Sequence, residues 1–547
     1  MGILIKNGLI IDGSGSEAYK ADILIKDDKI EKIKIDLETN DAEIIDASNK
    51  IISPGFIDLH NHADLNLFEV NKAEPFIMQG ITTLLTGVCG VGVSPTNDKV
   101  NSYYSRFVSK AFCSSPELFE NISEFFNALT RKGISLNVGY LIPQGNVRAC
   151  VLGTKTRPAN KEELDMMKQI VKENMEAGAF GLSTGLVYPP GSVTPTEELI
   201  ELSKIVSEYG GIYDSHMRNE GAGVIDIGMS ELLRIGREAN VKVHISHWST
   251  ISRYKYEELT ERAIQLAHNS REKGIKLSAD ITVYDDGFTS LSFVLLPTWI
   301  YSNFKENLTN PITRKKIKKE VFKKLYSIFL ADAKFWMRLI PKSILKKKIL
   351  PELSKGALII HSLKNHQLEG KTVFDALAEL HPDKNLEDAL LDYIRDEDGG
   401  IMIRFQQKNE EKSVIPLFKQ EFVSPSSDAI LIPGGNTHPR AYGAFPRVIA
   451  RWVNEKKVVS LEEAIRKMTS LPASVLELKD RGLLREGYKA DLVVFNSHTI
   501  KDKGTLDNGC QHPEGIDYVI INGKITVAKG NHTGVLNGVI LKYKCDN

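Results

Sequence analysis

The stretch that most constrains this chain is Ile51-Ile52-Ser53-Pro54-Gly55-Phe56-Ile57, an apolar run that leads into Asp58-Leu59-His60-Asn61-His62. Residues i and i+2 of a strand face the same side, so His60 and His62 are expected to point at one spot. Ile51-Ile52 and Phe56-Ile57 together read as one buried parallel strand. The C-terminal ends of such strands are where barrel enzymes assemble their sites. Alone, the pair could equally be two unrelated surface histidines. Four further ligand-type residues shift the balance: Cys89, His216, His247 and Asp428 each lie at or near the end of another predicted strand. Zinc takes imidazole nitrogen, thiolate and carboxylate oxygen, and a catalytic site keeps one position for water. The pattern points to a metal-dependent hydrolase.

The other strands are read at Ile81–Val88, Leu136–Tyr140, Gly181–Thr184, Gly211–Asp214, Val241–Ile245, Lys276–Ala279 and Phe422–Val423, which with the run before His60 makes eight. Helices alternate with them. Leu164, Met167, Val171 and Met175 recur at helical spacing until Ala177-Gly178 ends the run. Eight such units fit an α/β fold of the (β/α)8 TIM type. Both ends of the chain instead carry short strands and tight turns, from Ile3-Leu4-Ile5 to Ile33 and from Ala490 to Leu541, and are expected to pair into one small β-domain. His244, three residues before His247, is expected to face the opposite side of its strand.

At 547 residues the chain exceeds one compact core. Its 42% hydrophobic and 26% charged content is that of a soluble globular protein. Its apolar runs are short of a membrane span, and Met1-Gly2-Ile3-Leu4-Ile5-Lys6 does not read as a signal peptide. Five scattered cysteines argue against a disulfide framework, so a cytoplasmic location is expected. The formal net charge is zero, and nucleic acid is not an expected partner. Tyr301 to Leu350 stands apart, with 14 Lys/Arg against 3 Asp/Glu. Within 291–350, Phe322, Leu325, Tyr326, Phe329, Leu330, Phe335, Trp336, Leu339 and Ile340 alternate with lysines. The segment reads as a basic amphipathic insertion, a lid whose apolar face would cover an acyl chain or rest on an anionic membrane.

Longer motifs carry a family resemblance. Pro54-Gly55-Phe56-Ile57-Asp58-Leu59-His60-Asn61-His62 and the closing Gly487-Tyr488-Lys489-Ala490-Asp491-Leu492-Val493 resemble the amidohydrolase superfamily. The resemblance narrows on Gln79-Gly80-Ile81-Thr82-Thr83 leading to Cys89-Gly90, on Gly181-Leu182-Ser183-Thr184-Gly185-Leu186 with Tyr188-Pro189-Pro190-Gly191, and on His216-Met217-Arg218-Asn219-Glu220. It narrows further on His438-Pro439-Arg440-Ala441-Tyr442-Gly443-Ala444-Phe445-Pro446-Arg447. These are similar to the N-acyl-D-amino-acid deacylases (D-aminoacylases), over nearly the whole chain.

The resemblance implies a (β/α)8 barrel over 54–475 and a small β-sandwich built from 1–53 and 476–547. It implies one tight zinc site on Cys89, His216 and His247, with His60, His62 and Asp428 around it. A second, weaker metal would sit on His60 and His62 together with Cys89. Many superfamily members carry a bridging carboxylated Lys or Glu after strand four; Ser183 and Thr184 stand there, and Cys89 is the implied substitute. Arg440 matches the arginine that takes the substrate carboxylate, and Tyr284 its hydrogen-bonding partner. Asp428 would take the proton of a zinc-acidified water and return it to the leaving amine. The expected reaction is zinc-dependent hydrolysis of a linear amide, an N-acyl-D-amino acid or related D-residue amide, with a small molecule as partner.

The chain departs from the family pattern at Trp248-Ser249, where a lysine is usual at the second position. Ser426-Ser427-Asp428-Ala429 replaces Gly-Ser-Asp-Gly, Asp280-Ile281-Thr282-Val283-Tyr284 replaces a Tyr-Pro-Tyr strand, and Pro143-Gln144-Gly145 replaces Gly-His-Gly. These changes spare the metal and acid–base residues and fall on the substrate pocket. Arg218 and Glu220 read alternatively as structural partners of the loops. The competing readings are a cyclic-amide hydrolase of the hydantoinase or dihydroorotase kind, an amidase for a bulky lipophilic amide, and a catalytically inactive barrel scaffold. No heptad pattern marks an oligomer interface.

Overall fold

Parallel strands form the centre of the computed structural model, which describes residues 2–103, 116–252, 254–333, 335–406 and 409–544. They are β1 (Phe56–Asp58), β2 (Ile81–Thr86), β3 (Asn137–Tyr140), β4 (Gly181–Gly185), β5 (Ile212–His216), β6 (Lys242–Ile245), β7 (Leu277–Thr282) and β8 (Val423–Ser426). β1 to β3 make one sheet. The short strand Ile142–Pro143, directly after β3, opens a second sheet that runs through β4 to β8. The break between the sheets has a cause. The tail around Ile540 takes both backbone bonds of Val138, at 3.0 Å from Val539 and 2.8 Å to Leu541. The segment Gly538–Leu541 therefore lies along β3 and not in the terminal β-domain where its apolar pattern suggested it. At the other end, Asp428 N–H donates to the His60 carbonyl at 2.8 Å and His62 N–H to that of Ala429 at 2.9 Å, so the last strand end meets the first.

The helices between strands follow their amphipathic patterns. Lys161–Glu176 begins at Asn160, whose side chain accepts from Glu163 N–H at 2.8 Å while the Glu163 carboxylate accepts from Asn160 N–H at 2.9 Å. This reciprocal cap satisfies two orphan donors. Met167, Val171 and Met175 are its buried stripe. Between helices Gln144–Leu152 and Thr196–Glu208 lies a buried ion pair: Arg148 donates to both Glu198 oxygens at 2.6 Å. Removing one partner strands a buried charge. Glu198→Ala is expected to lower stability by about 3–5 kcal/mol, read as a fall in the urea midpoint at constant m. A shift below about 1 kcal/mol would show that the site is hydrated.

Ile51–Pro54 and β1 are not one strand. Ile51–Pro54 belongs to a seven-stranded sheet in which Leu9–Ile10 and Tyr19–Lys20 from one end of the chain join Leu492–Phe495, Ile516–Ile521, Lys524–Ala528 and Asn531–His532 from the other. The chain changes sheets at Gly55, where an added Cβ would lie 2.2 Å from Thr82 Oγ1. A four-stranded sheet of Gly2–Lys6, Asp22–Lys26, Lys29–Lys34 and Ala42–Asp46 lies alongside. Ile3, Ile5, Ile23 and Ile25 from it share a separate core with Ile52, Leu492, Val494 and Ile520. Asp491 fastens this β-rich part to β3: it pairs with Arg481, accepts from Asn137 at 3.0 Å and takes the Asn522 N–H at 2.8 Å.

The excursion between β7 and β8 is longer than 291–350. It opens with the strand Asp286–Ser290 and contains helices Pro311–Asp332 and Lys342–Gly356. It also holds an antiparallel sheet in which Ile401–Gln406 lies between Asp286–Ser290 and Ala357–Ser362. Ile317, Val321 and Leu325 are buried on the longer helix, with Phe322, Tyr326 and Phe329 half-buried against the same core. The Trp336 side chain lies outside the described residues. Part of the basic charge is met internally, by Arg314 on Asp388 at 2.7 Å and Asp392 at 2.8 Å, and by Lys318 on Asp388 at 2.5 Å. Among the described residues, no helix is long and apolar enough to cross a membrane.

Candidate metal centre

Cys89 lies at the middle of the converging side chains. Its Sγ is 3.3 Å from His60 Nε2, 3.5 Å from His247 Nε2 and 3.8 Å from His216 Nδ1, all of them buried. A tetrahedral ion with ordinary zinc–nitrogen and zinc–sulfur bonds needs ligand separations of about 3.4–3.6 Å. The donor set and its spacing therefore fit zinc. Three triads, His60/Cys89/His247, His60/His62/Asp428 and His216/Glu220/His247, each hold ligand atoms within 4.8 Å of one another. His60, His62, Cys89, His216, His247 and Asp428 are thus brought together.

Backbone strain accompanies this convergence. Cys89 (φ 53°), His247 (φ 31°) and Asp428 (φ 43°) all occupy the left-handed region. That conformation costs on the order of 1–3 kcal/mol for a residue with a side chain and concentrates at functional sites. The loop around Cys89 is pinned from β4: Ser183 donates to the Gly87 carbonyl at 2.5 Å and accepts from Gly90 N–H at 3.2 Å. Gly185 leaves room for it, since a Cβ there would stand 2.1 Å from the Cys89 carbonyl oxygen. Ser183 and Thr184 are occupied with backbone and neighbouring hydroxyls, as parts of the scaffold.

A layer of carboxylates lies beneath. Asp280 accepts from His244 at 3.0 Å and from His247 N–H at 3.0 Å, and lies 3.6 Å from His60 Nδ1. His244 therefore shares the interior with the site. The strand ends at Ile245 and His247 is left-handed, so two-residue alternation does not relate the two histidines. Asp58 accepts from His60 N–H at 3.2 Å and from Ser427 N–H at 3.1 Å, tying the β1 end to the β8 end. Burial pushes its carboxyl up to about 7 against the pull of those hydrogen bonds, and nearby Asp280 adds to the rise. Glu220 lies 3.0 Å from His247 Nδ1, which leaves the other ring nitrogen for the centre. Such carboxylate–imidazole contacts orient metal ligands. Burial by itself would raise the Cys89 thiol, but His60, His216 and His247 bring it well below its ordinary value. A thiolate is the form that binds metal.

Asp428 and Arg440 form the far wall. Arg440 is 2.9 Å from Asp428 Oδ2, while Oδ1 is 3.8 Å from His60 Nε2 and 3.7 Å from His62 Nε2. Burial works to raise the Asp428 carboxyl, yet Arg440 and then the three histidines hold it below its usual value. Tyr284 does not meet Arg440 through its hydroxyl, which donates to Asp502 at 3.2 Å beside Arg447. Its ring instead packs on His438. His438 is 3.0 Å from Asp286, the first residue of the insertion's strand, and Arg404 holds the other Asp286 oxygen at 2.8 Å. The insertion also supplies Phe293, packed on Tyr188, which packs on His216. At the departures from the family pattern, Ser249 donates to the His247 carbonyl at 2.7 Å and Gln144 to Thr194 at 3.1 Å. Arg218 forks onto Glu231 at 2.8 and 2.9 Å and is a loop brace. Asp280, Asp58 and Glu220 were not singled out as site residues from the sequence; only their place beside strand ends could have flagged them.

Residues 423–527 match the model of the Amidohydrolase family. The chain is 29% identical to the D-aminoacylase of Alcaligenes xylosoxydans xylosoxydans, over 98% of this chain and 97% of that protein. It superposes on the N-acyl-D-glutamate deacylase of Bordetella bronchiseptica, solved with zinc and a phosphonate that mimics the tetrahedral intermediate, with a TM-score of 0.78, 26% identity and 99% of each chain covered. A D-aminoacylase structure, described in terms of a binuclear metal centre with one-metal activation and second-metal attenuation, matches with a TM-score of 0.80, 26% identity and 99% of each chain. The deep left-handed cysteine, the histidines around it and this end-to-end likeness lead to one conclusion: the chain carries an amidohydrolase domain and is similar along nearly its whole length to the D-aminoacylases.

Proposed function

We propose that this protein is a zinc-dependent deacylase of N-acyl-D-amino acids. The observation that carries the reading is the Cys89 thiol ringed by His60, His216 and His247, with Asp428 and Arg440 on one side. Support comes from relatives named for D-aminoacylase and N-acyl-D-glutamate deacylase activity along the whole chain. In this reading β1 to β8 close into a (β/α)8 barrel over 54–475, and residues 1–53 and 476–547 form a β-sandwich.

Cys89, His216 and His247 would hold the tight zinc, with Asp428 facing it; His60 and His62 with Cys89 would hold a weaker second ion. Zinc bound there supplies a Lewis acid for the amide carbonyl and acidifies water. Asp428 takes the water's proton and delivers it to the leaving nitrogen, without which an amine does not depart. Arg440 offers the planar fork that a carboxylate requires. It is paired with Asp428 in the structure, so a substrate carboxylate competes for the guanidinium and leaves Asp428 more basic as it binds. The Ser183 and Thr184 side chains are engaged with the scaffold, which weighs against a hydantoinase-like site built on a bridging lysine.

The deciding experiment is amine release by zinc-loaded protein from matched N-acyl D- and L-amino acids with short and long acyl chains. D-selective turnover is expected. Turnover of hydantoins or dihydroorotate without release from the linear substrates would overturn the reading. The insertion acts in it as a lid: its Phe293 reaches Tyr188, and Leu295, Leu296, Val321, Phe322 and Leu325 line a small, mostly apolar cleft of about 30 Å³ that opens to solvent. Replacing Phe322, Phe329 and Trp336 by alanine is expected to erase most of a preference for long over short acyl chains. An unchanged ratio of kcat/KM values would rule out acyl contact.

A further inference from the structure

The insertion carries a second group of metal-ligating side chains, away from the Cys89 centre. His361 lies near the end of the strand Ala357–Ser362, where pairing with Ile401–Gln406 slips register between Ile359 and His361. A bulge of this kind re-aims a side chain. Here it turns the imidazole inward, to 6% exposure, with Nδ1 making no hydrogen bond of good geometry. The chain then enters the 3-10 turn His366–Leu368, in which positions three apart eclipse. His366 and Glu369 consequently stack on one side. The Glu369 Oε1 lies 3.0 Å from His361 Nδ1 and 2.9 Å from His366 Nδ1, and accepts from Ser362 N–H at 3.2 Å. One ligand atom from each of the three residues falls within 4.8 Å of the others.

We propose that His361, His366 and Glu369 bind a divalent transition-metal ion of the zinc type at a site separate from the Cys89 centre. Two imidazoles and a carboxylate make a three-ligand zinc set that leaves one position for water. The separations to Glu369 are within a few tenths of an ångström of the roughly 3.3 Å edge that such an ion needs. Imidazole ligands select against magnesium and calcium, which take oxygen. Entry is open, because His366 is 64% exposed while His361 and Glu369 anchor the floor. The site lies on a seam. A Cβ at Gly435, in the loop between Asp428 and Arg440, would come within 3.1 Å of His361 Nδ1. A bound ion would stiffen the contact between the insertion and that loop.

The test is cobalt titration of metal-stripped protein, with metal per chain and the absorption spectrum read together. Cobalt at the centre acquires a thiolate charge-transfer band from Cys89; cobalt on two imidazoles and a carboxylate does not. The unsubstituted protein is expected to bind one equivalent more than either His366→Ala or Glu369→Gln, with the charge-transfer band equal in all three. Equal stoichiometry in the three proteins overturns the proposal. A second readout needs no substitution: with the centre loaded, further zinc is expected to protect His366 from carbethoxylation, mapped by mass spectrometry. Undiminished modification of His366 at saturating zinc overturns it as well.

Discussion

Asp428→Asn protein is expected to keep its zinc while turnover falls by about 10²–10⁴-fold, the contribution of a positioned acid–base group. The substitution is close to isosteric, and asparagine tolerates the left-handed backbone that residue 428 adopts (φ 43°). What changes is proton capacity. An amide neither takes a proton from water nor returns one to the departing nitrogen. Arg440 loses its charged partner too, and its guanidinium becomes freer for a substrate carboxylate. KM is therefore expected to hold or fall while kcat collapses, a split that simple loss of structure does not produce. Steady-state rates with matched zinc content measure it. Near-normal kcat would place the proton shuttle on another group.

Cys89→Ala is expected to be the most damaging change for the metal. Loss of a carboxylate that merely orients a ligand weakens a metal site about 10–100-fold. Direct loss of the sulfur at the middle of the cluster is expected to exceed the upper end of that range. The same atom contacts His60, His216 and His247, so both proposed ions lose a ligand at once. Zinc affinity by chelator competition measures the effect. Zinc retained at unaltered affinity would show that the histidines and Asp428 suffice, and the cysteine would then be a packing residue.

The strands were legible because short runs rich in β-branched and apolar residues stand between helical patterns, as in the fully buried Ile81-Thr82-Thr83-Leu84-Leu85-Thr86 of β2. The candidate ligands were legible because Cys89, His216 and Asp428 are chemically marked residues at or near the ends of strands. Four features were hidden for physical reasons. Ile51-Ile52 and Phe56-Ile57 have the same apolar character, so nothing local reveals that Gly55 passes the chain from one sheet to another. His244 was placed on the wrong side because alternation holds only while the strand lasts, and a left-handed His247 ends it. The insertion's sheet pairs Asp286–Ser290 with residues more than a hundred positions away, and short polar strands carry little period to betray that. The Tyr284 hydroxyl likewise finds Asp502, 218 residues along the chain.

Asp286 joins two parts of the structure that would otherwise be separate. It belongs to the first strand of the insertion and is clamped there by Arg404, yet it also holds His438. The Nδ1 of that histidine accepts the backbone N–H of Arg440 at 3.2 Å. The insertion and the Arg440 backbone are thus connected through one carboxylate and one imidazole. If Arg440 takes the substrate carboxylate as proposed and the insertion shifts with it, reciprocity requires that each change the other's binding by the same factor. Under that proposal, an inhibitor lodged among the insertion's helices is expected to alter affinity for the substrate carboxylate from a distance.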